Sequence, residues 1–437
     1  MTGGLLGSGA RLALLAATGV LLVGGASAQA ADLGGDCCAD LEERVAELEA
    51  TTARKGNRKV SLTISGWVNE AVFAWDDGVE SNVYVGTNSL EQSRFKLAGE
   101  AKINGDWSAG YTLEFGINGA ASSSMSQTSP GTGNNITTRK SSWFLKSKSL
   151  GKVTVGQDGM STYHLLDDAD GVNTRNYSDA EAAAVALGGF RVRVDGGATQ
   201  GTWRNYMAGF NNGTPGQNGR RNTVRYDSPT FAGFSGSAAW GEDDVWDMAL
   251  TYKGEVGDFK LVGKVGYGSS NDPSVASGTG ANCGQVVVGD QDCNWWGTAG
   301  TIMHAPTGLY VYGGYGQQNN EAFEAVGRDG ESTTWFVQAG IERKWLPLGK
   351  TTVFGEYRHD NAGFSSTDID LGDGAGGSDA QSSEFDFYAA GIVQNIDAAA
   401  MDLYIIYRHS EGELTNATTT GDIDDFDMLM SGARIQF

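Results

Sequence analysis

The stretch Ser93–Phe115, SRFKLAGEAKINGDWSAGYTLEF, decides how this chain folds. Phe95, Leu97, Gly99, Ala101 and Ile103 fall on one face of an extended segment, and Arg94, Lys96, Glu100 and Lys102 fall on the other, a period of two. Asn104-Gly105-Asp106 supplies turn residues, after which Tyr111, Leu113 and Phe115 resume the alternation against Thr112 and Glu114. The pattern predicts a hairpin. What covers its apolar face decides everything else.

Composition narrows the answer. At 437 residues a soluble chain would suggest two or three domains, yet no helical or linker block divides this one. Glycine, at 65 residues, is used at about twice its ordinary frequency, and proline, at 6, far below it. Turns are therefore plentiful and strands unobstructed. Arg11, the apolar run Leu12–Val23 and Ala26-Ser27-Ala28 read as a secretory signal over residues 1–28, with Ala30 an alternative cleavage point. That run falls short of the ~20 residues a helical span needs, and no later segment reaches 18 apolar residues, so a membrane role requires a barrel. Losing Arg11 with the signal leaves 30 basic residues against 53 acidic ones, taking the formal charge from −22 to −23. Nucleic acid is disfavoured as a partner.

The four cysteines form two close pairs. In an exported chain Cys283 and Cys293 are expected to close a loop as a disulfide, whereas the vicinal Cys37 and Cys38 either link chains or stay reduced. Neither pair has the company a zinc site needs, and we expect no metal or cofactor. Residues 29–58 read as a periplasmic linker carrying a short coiled-coil helix: Leu41, Val45, Leu48 and Thr52 form an a/d seam, Glu42, Glu43, Glu47 and Glu49 precede Arg54 and Lys55 as the helix dipole favours, and Gly56 ends it.

From residue 59 to 437 the chain reads as sixteen strands, from 59–75 to 425–437, joined by two kinds of connection. Those at 104–106, 148–151, 228–230, 255–257, 305–307, 346–349 and 395–399 are short; the connections between them are mostly long, polar and rich in Gly, Ser, Asn and Asp. A soluble sandwich has no reason to keep its short turns at one end, whereas an outer-membrane barrel has short periplasmic turns and long extracellular loops. Leu403, Ile405 and Tyr407 oppose Asp402, Tyr404, Ile406 and Arg408; Leu429, Ala433, Ile435 and Phe437 oppose Met428, Met430, Arg434 and Gln436. One face accepts hydrocarbon and the other water. Trp75, Trp107, Tyr111, Trp295, Trp345 and Tyr407 sit near strand ends, as an interfacial girdle would. The predicted fold is an all-β transmembrane antiparallel barrel.

Together the exported precursor, the cysteine pair before LEERVAELEATTARKGNRKVSLTISGW, the sixteen strands and the final MSGARIQF resemble the porins of alphaproteobacteria. The resemblance implies a passive diffusion channel for small hydrophilic solutes, a homotrimer in lipid and lipopolysaccharide, Phe437 as the signal read by the barrel-assembly machinery, and a third extracellular loop folded into the lumen. The connection from Gln157 to about Arg220 is the candidate for that loop, with FRVRVDGG a possible local strand. It carries Asp158, Asp167, Asp168, Asp170, Asp179 and Glu181, expected to face Arg94, Lys96, Arg358, Arg408 or Arg434 on the lumen wall across a constriction. Acids in DIDLGDGAGGSDA and TGDIDDFD read as a solvated rim, since their spacing matches no complete calcium loop. Three rival functions follow: a sugar- or phosphate-specific porin; an outer-membrane hydrolase, for which Ser161, His164 and Asp167 lack a surrounding catalytic motif; and a structural tether, for which the coil is too short.

Overall fold

The structure, a computed structural model, describes residues 59–131, 133, 135–174, 177, 187, 189–207, 219–241, 245–270, 292–325, 327–374 and 376–437. The signal segment, the coil, Cys37, Cys38, Asp179, Glu181 and Cys283 lie outside them. The strands are β1 (Thr63–Asp76), β2 (Ser81–Thr87), β3 (Arg94–Lys102), β4 (Trp107–Asn118), β5 (Asn135–Ser147), β6 (Gly151–Gly159), β7 (Arg220–Asp227), β8 (Phe234–Gly241), β9 (Val245–Val256), β10 (Phe259–Ser270), β11 (Cys293–His304), β12 (Leu309–Asn320), β13 (Glu331–Leu346), β14 (Gly349–Ala362), β15 (Ser365–Ile369), β16 (Ser378–Ala380), β17 (Ser382–Ile396), β18 (Met401–Thr415), β19 (Thr420–Asp422) and β20 (Phe426–Gln436).

Each predicted run is a strand, paired antiparallel with its neighbours. The opening stretch is the β3–β4 hairpin: Phe95 lies opposite Phe115, their rings stack 5.1 Å apart, and the Asn104 side chain accepts from the backbone N–H groups of Asp106 and Trp107 at 2.9 and 2.8 Å. Gly99 is required there, because a Cβ would lie 2.1 Å from the Ser61 carbonyl oxygen and 2.5 Å from the Tyr111 ring. Eighteen strands share one sheet. β2 pairs with the later half of β1 and β3 with its first half, so the two make one interrupted stave; β19 is a short flap on β18. Sixteen staves remain, and β1 pairs with β20 from Trp67↔Gln436 to Asp76↔Asp427, closing the wall. The mutual hydrogen bonds of Gly66 and Phe437, at 2.9 and 3.0 Å, finish the seam. Closure pairs the first and last staves with each other, where lipid offers backbone groups no partner. β2, the β15–β16 hairpin and β19 were not expected: they are short strands inside connections that read as polar loop.

Side-chain parity sets the two faces. Leu250, Val265, Ile302 and Val311 are exposed on the outside, at 45%, 45%, 56% and 52%, while Asp247 and Thr301 on the same strands are buried toward the lumen. Trp345 and Tyr407 are outward-facing, as expected. Trp75 and Trp295 are not: both are buried inside, Trp75 beside Tyr84 and Phe190 and Trp295 donating its indole N–H to Thr162. Each sits on the inward parity of its strand; of the adjacent pair Trp295-Trp296, only Trp296 reaches the outer girdle. Replacing Leu250 by lysine, near the middle of β9, is expected to cost about 2–4 kcal/mol in urea-unfolding measurements in lipid vesicles, because the ammonium would face hydrocarbon.

Candidate functional site

Residues 160–219 join β6 to β7, and their described part packs against the inner wall of the barrel. Their apolar side chains Leu165, Leu166, Ala169 and Tyr177 are fully buried, and the inner wall supplies a partner for backbone groups that strand pairing does not reach. The Asp247 carboxylate accepts from the Ser161 and Thr162 N–H groups and the Thr162 hydroxyl at 2.9, 2.7 and 2.7 Å. Tyr312 donates to the Leu166 carbonyl at 2.7 Å, Thr301 to the Ala169 carbonyl at 2.6 Å, and Thr174 to Gln338 at 2.8 Å. Tyr177 stacks on Tyr404, 4.2 Å between centroids, and donates to Asp402 at 2.8 Å, while Arg408 donates to the Tyr177 carbonyl. Beyond it Phe190 packs against Trp75 and Phe426 and Trp203 against Phe385. The described part of the loop is thus seated on β9–β13 and on the β17–β20 and β1 side. FRVRVDGG forms no strand, only a bridge from Arg191 to Thr202.

The wall of β3–β7 faces it. Arg94 pairs with Glu91 at 2.7 Å and Glu114 at 3.4 Å; Arg139 pairs with Glu114 at 2.8 Å and reaches the loop at the Tyr163 hydroxyl, under which Arg220 also lies, 5.8 Å from the ring centre. Next to them a polar cavity of about 300 Å³ is lined by Lys96, Glu114, Lys140, Lys152, Asp158, Arg225 and Asp227, with Thr112 and Thr154. Four basic side chains, Lys96, Lys140, Lys152 and Arg225, thus line this cavity against Glu114, Asp158 and Asp227, beside the buried pairs of Arg94 and Arg139 with Glu91 and Glu114.

The expected charge arrangement is met in part. Arg94 and Lys96 stand on this wall. Asp158 belongs to β6 and not to the loop, and pairs with Lys140 at 2.8 Å on the same wall. Asp167 holds His164 at 2.5 Å, Asp168 holds Lys264 on β10 at 3.1 Å, and Asp170 accepts from Val172 and Thr174 within the loop. Arg358 is bidentate to Asp360 at 2.7 and 2.8 Å, Arg408 lies under Tyr177, and Arg434 pairs with Asp402 at 2.7 Å. All three are buried; Arg408 and Arg434 meet the loop at Tyr177, and Arg358 is paired within its own strand. Arg139, Lys140, Lys152, Arg220 and Arg225 were missed; for Lys140, Lys152 and Arg225 the available signal was a parity opposite to the outward Trp143, Val153 and Val224, whereas Arg139 sits at the bulge opposite Glu114 and Phe115, where parity shifts, and Arg220 lies one residue before the expected strand 221–227. Cys293 is disulfide-bonded. Among the described residues the Ser161 hydroxyl has no hydrogen-bond partner, and His164 Nδ1 is held by Asp167 instead.

Above the lumen the β1–β2 hairpin latches onto the loop. Arg193 donates to Asp77 at 2.7 Å and also pairs with Glu80. Burial pushes the Asp77 carboxyl up, but Arg193, the Glu80 and Val79 N–H groups and Gln127 outweigh it and hold it below its ordinary value of 3.8. A carboxyl depressed in the folded state contributes stability above its unfolded value and loses it as pH falls through the lower folded one. Thermal stability measured from pH 6 to 2 is therefore expected to fall less steeply below pH 3.8 in Asp77→Asn than in the unsubstituted protein.

A closed sixteen-stave barrel with a lipid-compatible exterior and a polar interior defines an outer-membrane diffusion channel. A family model for Gram-negative porins matches residues 13–427, and the chain belongs to that family. Among solved structures it is similar to an anion-selective porin from Comamonas acidovorans, with a TM-score of 0.55 at 16% identity over 86% of this chain and 100% of that one. It is also similar to the trimer form of Vibrio cholerae OmpT, with a TM-score of 0.50 at 13% identity over 86% and 99%, and to Pseudomonas putida OprB at high pH, with 0.51 at 10% over 91% and 97%. At these identities the likeness is one of fold. No curated protein sequence matches significantly.

Proposed function

We propose a general diffusion porin of the alphaproteobacterial type whose aperture lies between the inserted loop and the β3–β7 wall, and which favours small hydrophilic anions despite the acidic chain. The observation that carries this reading is the cavity on that wall lined by Lys96, Lys140, Lys152 and Arg225 against Glu114, Asp158 and Asp227, while Asp167 and Asp170 are bonded within the loop and Asp168 ties it to Lys264. A passing solute responds to the charges nearest it, and the net charge of −22 resides elsewhere, largely on connections. Cleavage after the signal, a homotrimer, embedding in lipid and lipopolysaccharide, recognition of Phe437 by the assembly machinery and a Cys283–Cys293 disulfide complete the reading; the trimer form of the structurally similar OmpT supports the oligomer.

Proteoliposome swelling tests this. Phosphate and small dicarboxylates should enter several-fold faster than diamines of equal size. Equal rates, or faster diamine entry, would reject the anionic preference and leave the channel reading standing.

A further inference from the structure

The outer face of β18 and β20 carries a cluster that plays no part in the aperture. His409 lies opposite Asp427, two residues above the lipid-facing Tyr407. Its Nδ1 is 2.9 Å from Asp427 Oδ1, which also accepts from the Tyr407 hydroxyl at 2.6 Å. A carboxylate bonded to Nδ1–H leaves the lone pair on Nε2, the arrangement in which histidine binds metals. That nitrogen faces Glu411, whose Oε2 is 3.5 Å away, and one ligand atom each from His409, Glu411 and Asp425 lie within 4.8 Å of one another. Bonds of ~2.1 Å at tetrahedral angles place ligand atoms about 3.4 Å apart, so small side-chain rotations close the set. Two carboxylates beside one imidazole repel each other, and a dication relieves that repulsion.

From this geometry we infer that His409, Glu411 and Asp425 form an extracellular-side site for a borderline divalent cation, zinc being the best match, with Asp427 as the positioning residue. An imidazole nitrogen with two carboxylate oxygens suits zinc, whereas calcium and magnesium prefer an all-oxygen set. The site abuts the loop's support: Asp424, next to Asp425, donates its N–H to the Arg193 carbonyl at 2.9 Å and accepts from the Gly196 N–H at 2.8 Å. Zinc would tie the upper end of β18 to the segment that grips the inserted loop. His359 provides an internal comparison, with Nδ1 2.8 Å from Asp386 and Nε2 3.7 Å from Glu384 but no third ligand grouped with it among the described residues.

The test is titration of untagged, full-length protein in detergent with zinc chloride by calorimetry, with copper(II) spin resonance as a second readout. One zinc per chain is expected. His409→Ala and the near-isosteric Glu411→Gln should each weaken it at least tenfold, Asp427→Asn by about 10- to 100-fold, and His359→Ala should leave it unchanged. The copper spectrum should show one nitrogen coupling that His409→Ala removes and His359→Ala retains. Absence of zinc binding, unaltered binding in His409→Ala or Glu411→Gln, or displacement of zinc by a tenfold excess of magnesium, as at a phosphate-bridging lipid site, would overturn the inference.

Discussion

Asp402→Ala will lower stability by about 3–5 kcal/mol and loosen the inserted loop. The Asp402 carboxylate receives hydrogen bonds from Arg434 at 2.7 Å and Tyr177 at 2.8 Å, a longer one from Asn173 at 3.4 Å, and one from Asn395. Removing it leaves the buried Arg434 guanidinium with the rings of Trp67 and Tyr177, each 5.8 Å away, and an uncompensated buried charge carries that order of cost. Tyr177 loses its hydroxyl partner and keeps its stacking on Tyr404 and the hydrogen bond from Arg408 to its carbonyl. Urea unfolding should report the energy, and single-channel records should show larger, more variable conductance. Asp402→Asn, which keeps the shape and removes the charge, should fall between the two; unchanged stability and conductance in both would mean that the loop is seated by its apolar contacts alone.

Lys96→Glu combined with Lys152→Glu will turn the proposed anion preference toward cations. Both side chains line the cavity on the β3–β7 wall, and the double substitution changes its charge by four units. A fixed charge acts on an ion ~7 Å away with about 0.6 kcal/mol in water, and roughly half of that after physiological screening. Four units then shift the permeability of each ion by about sevenfold in opposite directions, and the anion-to-cation ratio by about 50-fold. The reversal potential under a salt gradient should change sign, and the shift should shrink at molar salt. A selectivity that ignores both substitutions would place the narrowest passage away from this wall.

The barrel was legible in the sequence because lipid on one side and water on the other impose a period of two, and because short and long connections alternate. Parity arguments also placed Arg94, Lys96 and Arg434 toward the lumen. They could not show which inward charges the loop covers. Arg434 and Arg94 have the same parity and residue type and lie over the same Trp67 ring, at 5.8 and 4.5 Å, yet Arg434 sits beside Tyr177 of the inserted loop and Arg94 pairs with Glu91 and Glu114, a distinction made by the loop's path. That path depends on contacts such as Asp247 with Thr162, separated by 85 residues, for which no periodicity exists. Asp158 was assigned to the loop because β6 extends three residues beyond its predicted end at 156, to Gly159. The histidine-carboxylate cluster was invisible for a related reason: His409 and Asp425 come together only through strand pairing across the outer wall.

Planar-bilayer recording of the purified protein in an asymmetric potassium chloride gradient tests the central claim most directly. The account predicts stepwise, voltage-tolerant conductance with a reversal potential on the chloride side. Ordered insertion of the folded barrel with no ionic current would contradict it.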